Sequence, residues 1–521
     1  MKVIFRVDAS LEMGMGHVMR CLTLAQLLNK NNSSIRFICR QHEGNLIDKI
    51  RSSGFEVCGL GLLEDKKINN KLSHSHWLGT SQQQDANDCI RALKSEEIDW
   101  LIVDHYALDE EWQNELKPFC KKIMAIDDLA DRKHQCDILL DQTFGRQQGD
   151  YSALVPKNCS LLLGAKYALL RPEFERWRAY SLEHRYNKTK AKQLLVNMGG
   201  VDADNATQWV IEALKTCTLS SDTNIVIIMG ALSPYLKDIQ AMVANFPYKV
   251  EVKVDVNNMA EMMANSDLAI GAAGATTWER CCLGLPTVQV VVAKNQEFLA
   301  KILARHNVVK LAKEAKEISC LLENSSEWMK DISGIASRVC DGLGGLRVFN
   351  KMADCKINLG KFGEVELRNY SNLDSNDSAF ALNMRNHPQI KKWMYNQSSI
   401  SKKEHLEFVE SLKSDMSQRY FLIEWKNNII GSINFSKIDF CNSVEFGLYV
   451  NPFLQSKGMG RILEAAVSYY AFNELGVQKI KLKVLSDNKR AIDFYNACGF
   501  EFTGTGKESQ QDVLHMEKRN E

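Results

Sequence analysis

From residue 3 to about residue 170, and again from 194 to 292, the chain alternates short apolar runs with stretches whose apolar residues recur at helical spacing. The first series of runs is 3–7, 35–39, 100–103, 122–126 and 138–140; the second is 194–198, 225–229, 268–270 and 287–292, with an alternating apolar and charged strand pattern at 250–254. Continuous apolar runs suit strands buried on both faces, and helices between them predict parallel sheets covered on both sides. Two series predict two Rossmann-like lobes in an α/β chain. In open sheets of this kind ligands gather beyond the carboxyl ends of the strands, so the residues that follow each run matter most.

The first run leads into Gly14-Met15-Gly16-His17, with Arg20 one turn on and Val18, Leu22, Ala25 and Leu28 at helical spacing. That is a strand, a glycine loop and a helix. Gly14 and Gly16 let the backbone approach a ligand, the helix start offers unpaired N–H groups to an anion, and an imidazole there can act as a base beside a phosphate. The competing account makes His17 a first-turn residue bonded to a carboxylate such as Asp8, and for an isolated histidine that account has the better claim. Later runs end in Asp104-His105-Tyr106, Asp127-Asp128 and Asp141-Gln142. Asp104 and Asp127 are expected at a ligand, although carboxylates in such places also cap helices and turns.

A charged stretch, 173–192, reads as a connecting helix or linker. Beyond it the strand ends carry Gly199-Gly200-Val201-Asp202, then Gly230, then Gly271-Ala-Ala-Gly274-Ala275-Thr276-Thr277-Trp278-Glu279, then Lys294-Asn295-Gln296. Small residues at a strand-to-helix turn let amides reach a diphosphate, and a carboxylate one turn into the helix can take a ribose diol. The alternative is a tight packing turn, which needs small residues for sterics alone. The conjunction of glycine, threonine and glutamate favours the nucleotide.

At 521 residues the chain is too long for one core. A formal charge of +1 gives no electrostatic case for nucleic acid or an anionic membrane, so the expected partner is a small molecule. No apolar run approaches the roughly 20 residues needed to span a bilayer, and Arg6 and Asp8 interrupt the first strand, so a cytosolic protein is expected. The 15 cysteines lack paired C-x-x-C spacing, and Cys281-Cys282 read as small buried hydrophobes. Reduced thiols and no zinc are expected. His74 and His76 form an H-x-H among polar residues, read as a solvated loop.

From about residue 363 the texture changes. Residues 364–368 open a strand, 374–386 have a helical pattern, and 420–423 and 429–435 flank Lys426-Asn427-Asn428 as a hairpin. Along 444–450, Val444, Phe446, Leu448 and Val450 share one face, while Glu445 and Tyr449 point the other way. Then comes Gln455-Ser-Lys457-Gly458-Met459-Gly460-Arg461 before an amphipathic helix, a strand over 481–484, and a helix from Asn488 to Tyr495 that ends at Cys498-Gly499-Phe500. Q-x-x-G-x-G between a strand and a helix presents successive amides to a pyrophosphate.

Two resemblances follow. The first 350 residues or so resemble the UDP-sugar hydrolases of pseudaminic acid biosynthesis, which release UDP from UDP-2,4-diacetamido-2,4,6-trideoxy-β-L-altropyranose and are related to the GT-B glycosyltransferases. The likeness rests on Phe5-Arg6-Val7-Asp8, the run from Gly14 to Arg20, Asp127-Asp128, Gly199 to Asp202, Gly271 to Glu279, Lys294-Asn295-Gln296 and Asp341 to Val348. It implies two GT-B-type lobes at 1–175 and 190–355, C–O cleavage with inversion, His17 as general base and Asn295 near the substrate. The amides of the second-lobe turn can stabilise UDP, itself a stable anion, so no metal is expected. Residues 363–521 resemble the GNAT N-acetyltransferases, an α+β domain, particularly those that acetylate a sugar-nucleotide amine. This implies acetyl-CoA as cosubstrate, held by Leu448, Val450, Gln455, Lys457, Gly458, Met459, Gly460, Arg461 and Asn488. Tyr495 is then the acid toward the leaving thiolate, with a core aromatic as its alternative. Glu445 is the candidate base, with a solvated strand carboxylate as its alternative. The competing functions are a GT-B glycosyltransferase with a sugar acceptor in place of water, and a sugar-nucleotide-binding regulatory protein.

Overall fold

The computed structural model describes every residue except 63–70, 94–96, 187, 189, 203, 232, 293–295, 441, 455–456 and 521. It divides into two compact units: Met1–Gln26 with Ser34–Gly345, and Leu27–Ser33 with Leu346–Glu521.

The first unit holds two parallel sheets. One is built from β1 (Lys2–Val7), β2 (Ser34–Arg40), β3 (Glu56–Leu60), β4 (Ile98–Asp104), β5 (Cys120–Ile126), β6 (Ile138–Asp141) and β7 (Ser160–Leu163), in the order β3-β2-β1-β4-β5-β6-β7. The other has β8 (Gln193–Asn197), β9 (Asn224–Met229), β10 (Lys249–Val254), β11 (Leu268–Ala272), β12 (Thr287–Val290) and β13 (Lys310–Ala312), in the order β10-β9-β8-β11-β12-β13. In each sheet the order reverses beside the first strand, which opens a crevice at its carboxyl end. In the first sheet the register sets Val7 opposite Asp104, so the loop after β1 lies over the end of β4. Of the charged stretch 173–192, the part from Pro172 to Arg185 is helical, with Phe174, Ser181 and Arg185 buried.

The second unit is one sheet of eight strands: β14 (Cys355–Asn358), β15 (Glu364–Asn369), β16 (Arg419–Trp425), β17 (Asn428–Asp439), β18 (Ser443–Val450), β19 (Lys479–Leu485), β20 (Glu501–Glu508) and β21 (Gln511–Arg519), in the order β14-β15-β16-β17-β18-β19-β21-β20. β14 precedes the change of texture and pairs antiparallel with β15. Lys426 and Asn427 take φ of 49° and 60° at the β16–β17 turn, the two left-handed residues that a tight hairpin matching strand twist requires. Only β18 and β19 run parallel, and they pair only from Ser443–Lys479 to Glu445–Lys481. Beyond Glu445 they part. The apolar face of β18 closes on the Met459–Tyr469 helix in one core with Phe421, Ile433 and Phe435. The described cysteines are all free, and Cys281 and Cys282 are buried as small hydrophobes.

Candidate active sites

In the first lobe the glycine loop delivers His17 to the start of the Gly16–Lys30 helix. Its Nδ1 lies 2.6 Å from Asp104 Oδ1, while Arg20 donates from Nε to Asp104 Oδ2 at 2.6 Å and from Nη2 to Oδ1 at 2.7 Å. Burial opposes the charge on Asp104, but Arg20 and His17 outweigh it and hold the carboxyl well below the usual carboxylate range. Ionised Asp104 accepts from Nδ1–H of His17, and in the neutral imidazole the lone pair is then on Nε2. Arg20 is fixed from its far side by Asp128 Oδ2 at 2.5 Å, which also accepts from Tyr106 Oη at 2.7 Å.

The alternative partner for His17 is overturned. Asp8 instead accepts from Arg6 Nη1 and from the amide of Arg40, each at 2.6 Å, with His105 Nε2 at 3.3 Å from its other oxygen. Asp104 is buried beneath the base, its oxygens engaged by His17 and Arg20. Asp127 closes its own turn, accepting from Ala130 N, Arg132 Nη1 and Tyr151 Oη at 2.8–2.9 Å. The solvated-loop reading of the H-x-H holds for His76, exposed on Glu12 at 2.7 Å, and fails for His74. His74 is half-buried, its ring 4.5 Å from Trp77 and 5.4 Å from Tyr106, and Tyr106 meets His17 edge-on at 4.6 Å. This aromatic wall was not expected, because its members come from three separate loops.

The glycines divide into two kinds. Gly14 (φ +74°), Gly16, Gly199 (φ +105°) and Gly274 have nothing within 4 Å of the place a Cβ would occupy. They border open space. Gly200, by contrast, makes room for Met15 Cε from the first glycine loop, and Gly271 makes room for the guanidinium of Arg280. Their smallness serves packing, as the steric alternative for such turns requires. Around the second-lobe turn Ala275 is exposed, Thr276 half-buried and Thr277 buried. Glu279 lies 3.4 Å from Arg171, and burial lifts its carboxyl above the usual range against that pull. Gln296 Oε1 accepts from Val292 N at 3.2 Å. Asn295 lies outside the described residues.

In the second unit the divergence of β18 from β19 leaves Leu448 and Val450 without β19 as a neighbour. Gly458, at φ +88°, caps the Met459–Tyr469 helix; a Cβ on Gly460 would meet the Phe494 ring at 3.4 Å. Met459 is buried, Lys457 and Arg461 are exposed, and Gln455 lies outside the described residues. Asn488 caps the Lys489–Asn496 helix, accepting from Ala491 N. Tyr495 packs against Phe446 and Phe500 with centroids 6.0 and 5.5 Å apart, and burial pushes its phenol up. Glu445 is paired with Lys437 at 2.9 Å and Lys483 at 3.8 Å. On the same face Tyr370 Oη reaches Ser432 Oγ at 2.9 Å and Tyr449 Oη at 3.2 Å, a buried chain of hydroxyls that the alternation of β18 hinted at only for Tyr449.

The model of the acetyltransferase (GNAT) family matches residues 385–500, and that of the glycosyltransferase family 28 C-terminal domain matches 193–333. Acetyltransferase PseH from Campylobacter jejuni is 37% identical over 152 residues, which cover 29% of this chain and 92% of that protein. The C-terminal part of the chain belongs to the GNAT acetyltransferases. Ahead of this acetyltransferase module the chain is similar to the UDP-2,4-diacetamido-2,4,6-trideoxy-beta-L-altropyranose hydrolase of C. jejuni, 29% identical over 306 residues that cover 58% of this chain and 97% of that enzyme. The chain is thus a fusion of a hydrolase-like module with a GNAT module. An uncharacterized protein of Methanocaldococcus jannaschii is 27% identical across 98% of this chain and 99% of its own length. The crystal structure of C. jejuni PseH in complex with acetyl coenzyme A aligns with 30% of this chain and 99% of that one at 30% identity, with a TM-score of 0.25.

Proposed function

We propose that the chain catalyses two steps of pseudaminic acid biosynthesis: N-acetylation of the 4-amino group of a UDP-4-amino sugar by acetyl-CoA, and hydrolysis of UDP-2,4-diacetamido-2,4,6-trideoxy-β-L-altropyranose to the free sugar and UDP. Residues 1–175 and 190–355 form the two lobes of the hydrolase, and 363–521 form the acetyltransferase. The observation that carries the hydrolase reading is the His17–Asp104–Arg20 arrangement at the rim of open glycine loops. Water attacks the anomeric carbon from the face opposite UDP, its proton passes to Nε2 of His17, and the C–O bond breaks with its electron pair on UDP. Asp104 stabilises the imidazolium that forms. The diphosphate leaves as a stable anion, held by the turn around Gly274 and Thr276, and this step uses no resident metal. Glu279 is assigned to the ribose and Asn295 to the sugar.

In the acetyltransferase the free amine attacks the thioester carbonyl, Glu445 takes the ammonium proton through water, and the C–S bond breaks as Tyr495 protonates the departing sulfur. A phenol of reference pKa about 10 protonates a thiolate of reference pKa about 8.5 only when transfer is coupled to collapse of the tetrahedral intermediate. Acetylation comes first, because a free reducing 4-amino sugar condenses through its own aldehyde. Both substrates are water-soluble, in keeping with a cytosolic enzyme, and no helix among the described residues is long and apolar enough to cross a membrane. The family 28 match favours one alternative, a glycosyltransferase with a sugar acceptor. Incubation with UDP-4-amino sugars and acetyl-CoA, followed by NMR, decides: UDP and the free diacetamido sugar support hydrolysis, whereas UDP release only when an acceptor sugar is added supports transfer.

A further inference from the structure

Arg280 is 2% exposed, directly beneath the turn that the proposed function assigns to the diphosphate. Buried guanidiniums in the first lobe meet carboxylates: Arg6 and Arg40 pair with Asp85, Arg20 with Asp104, Arg132 with Asp127. Arg280 meets none within ion-pairing distance among the described residues. It donates from Nη2 to Ala272 O at 2.8 Å and to Thr277 Oγ1 at 3.2 Å, and from Nη1 to Thr276 Oγ1 at 3.0 Å, while its buried Nε has no partner. Burial lowers the guanidinium to about 10, against a weaker opposing pull from Cys281 and the Glu279 carboxyl. A buried charge with no carboxylate in contact is costly, and it attracts an anion strongly because little water screens it.

The two threonines differ in what they can do. Thr277 Oγ1 accepts from both Arg280 and Gln289 Nε2 and is fully buried. Thr276 is half-buried beside the exposed Ala275 and the open Gly274. A hydroxyl that accepts from a guanidinium has its own proton free for another acceptor. For Thr276 the open side is the crevice.

We propose that Arg280 is a positioning residue for a nucleoside diphosphate: it supplies the positive charge the anion needs and holds the Thr276 hydroxyl as a donor to a phosphate oxygen. The inference rests on reading this lobe as a UDP site. It also gives Gly271 a second task, since any side chain there would displace the guanidinium.

Calorimetric titration of the full chain with UDP, UMP and uridine, at low and high salt, separates this role from a structural strut. Arg280→Gln should weaken UDP by about tenfold or more while uridine shifts less than about twofold, and the salt dependence of UDP binding should flatten. Arg280→Lys should recover part of the loss, because charge returns without the fork. Should Arg280→Gln not fold, Thr276→Val serves: it keeps the guanidinium and should weaken UDP by a few-fold with uridine unmoved. A parallel loss of UDP and uridine, or no loss of either, overturns the proposal. If the wild-type chain binds uridine and UDP equally, the diphosphate reading of the lobe fails and this inference falls with it.

Discussion

The two lobes of the first unit share a topology and handle charge in opposite ways. At the end of β1 and β4 the charged groups around the base are completed by one another: Asp104 engages His17 and Arg20, and Asp128 holds Arg20 and Tyr106. At the end of β11 the turn is short of counter-charge: among the described residues Arg280 donates to a carbonyl and two hydroxyls and contacts no carboxylate. A base must keep one tautomer and one orientation before substrate arrives, so its neighbours are completed by the protein. An anion site gains most when the ligand itself completes it.

If that contrast holds, variants in the first lobe act on kcat and variants in the second act on affinity. His17→Ala should cut UDP release by at least about a thousandfold while UDP-sugar binding persists; near-normal turnover would remove His17 from the mechanism. Gly458→Pro is the control from the other unit. Proline cannot adopt φ +88°, so acetyl transfer should be lost while hydrolysis of pre-acetylated substrate continues, and loss of both activities would break the assignment.

Asp104→Asn should lower kcat by about a hundredfold with KM little changed, and cost about 2 kcal/mol of stability by replacing one of Arg20's two carboxylate partners with a neutral amide while Asp128 remains. The folded pKa of Asp104 lies below its unfolded value. Its contribution is therefore complete above about pH 4 and lost as pH falls through the folded value. The Tm difference between wild type and Asp104→Asn should persist from about pH 8 to 5 and close only in stronger acid; a difference that closes near neutrality contradicts the assignment. The smallest effect is expected from Glu279→Gln, a rise of roughly tenfold in KM at unchanged kcat, because a ribose contact binds ground and transition states alike. A fall in kcat there would place the second lobe in the chemistry.

The parallel strands were legible because runs such as 101–103 and 225–229 are apolar on both faces. Their neighbours at the margins were not. β3, β7, β13, β14 and the β20–β21 hairpin escaped notice, and the burial along β20 shows the reason: its residues are exposed or half-exposed and carry no apolar alternation. The capping box of Ser401 and Glu404, which starts the Lys402–Leu412 helix, is a signal the sequence does carry. Within the site, His17, Arg20 and the open glycines 14, 16, 199 and 274 could be named from motif alone. The partner of His17 could not, and nearness along the chain pointed to Asp8.

By itself the sequence determined which residue types gather at strand ends: local periodicity makes the strands, and glycine, histidine and threonine mark the turns after them. Tertiary structure alone decided who pairs with whom. The order β2-β1-β4 sets Asp104 beside Val7, 97 residues away in the chain, and gives Asp8 to Arg6 and Arg40 instead. The same holds for Met15 against Gly200 and Arg280 beneath Gly271. Hydrogen bonds and ion pairs act over a few ångströms, and sheet order, which depends on the whole chain, decides which side chains come within that range.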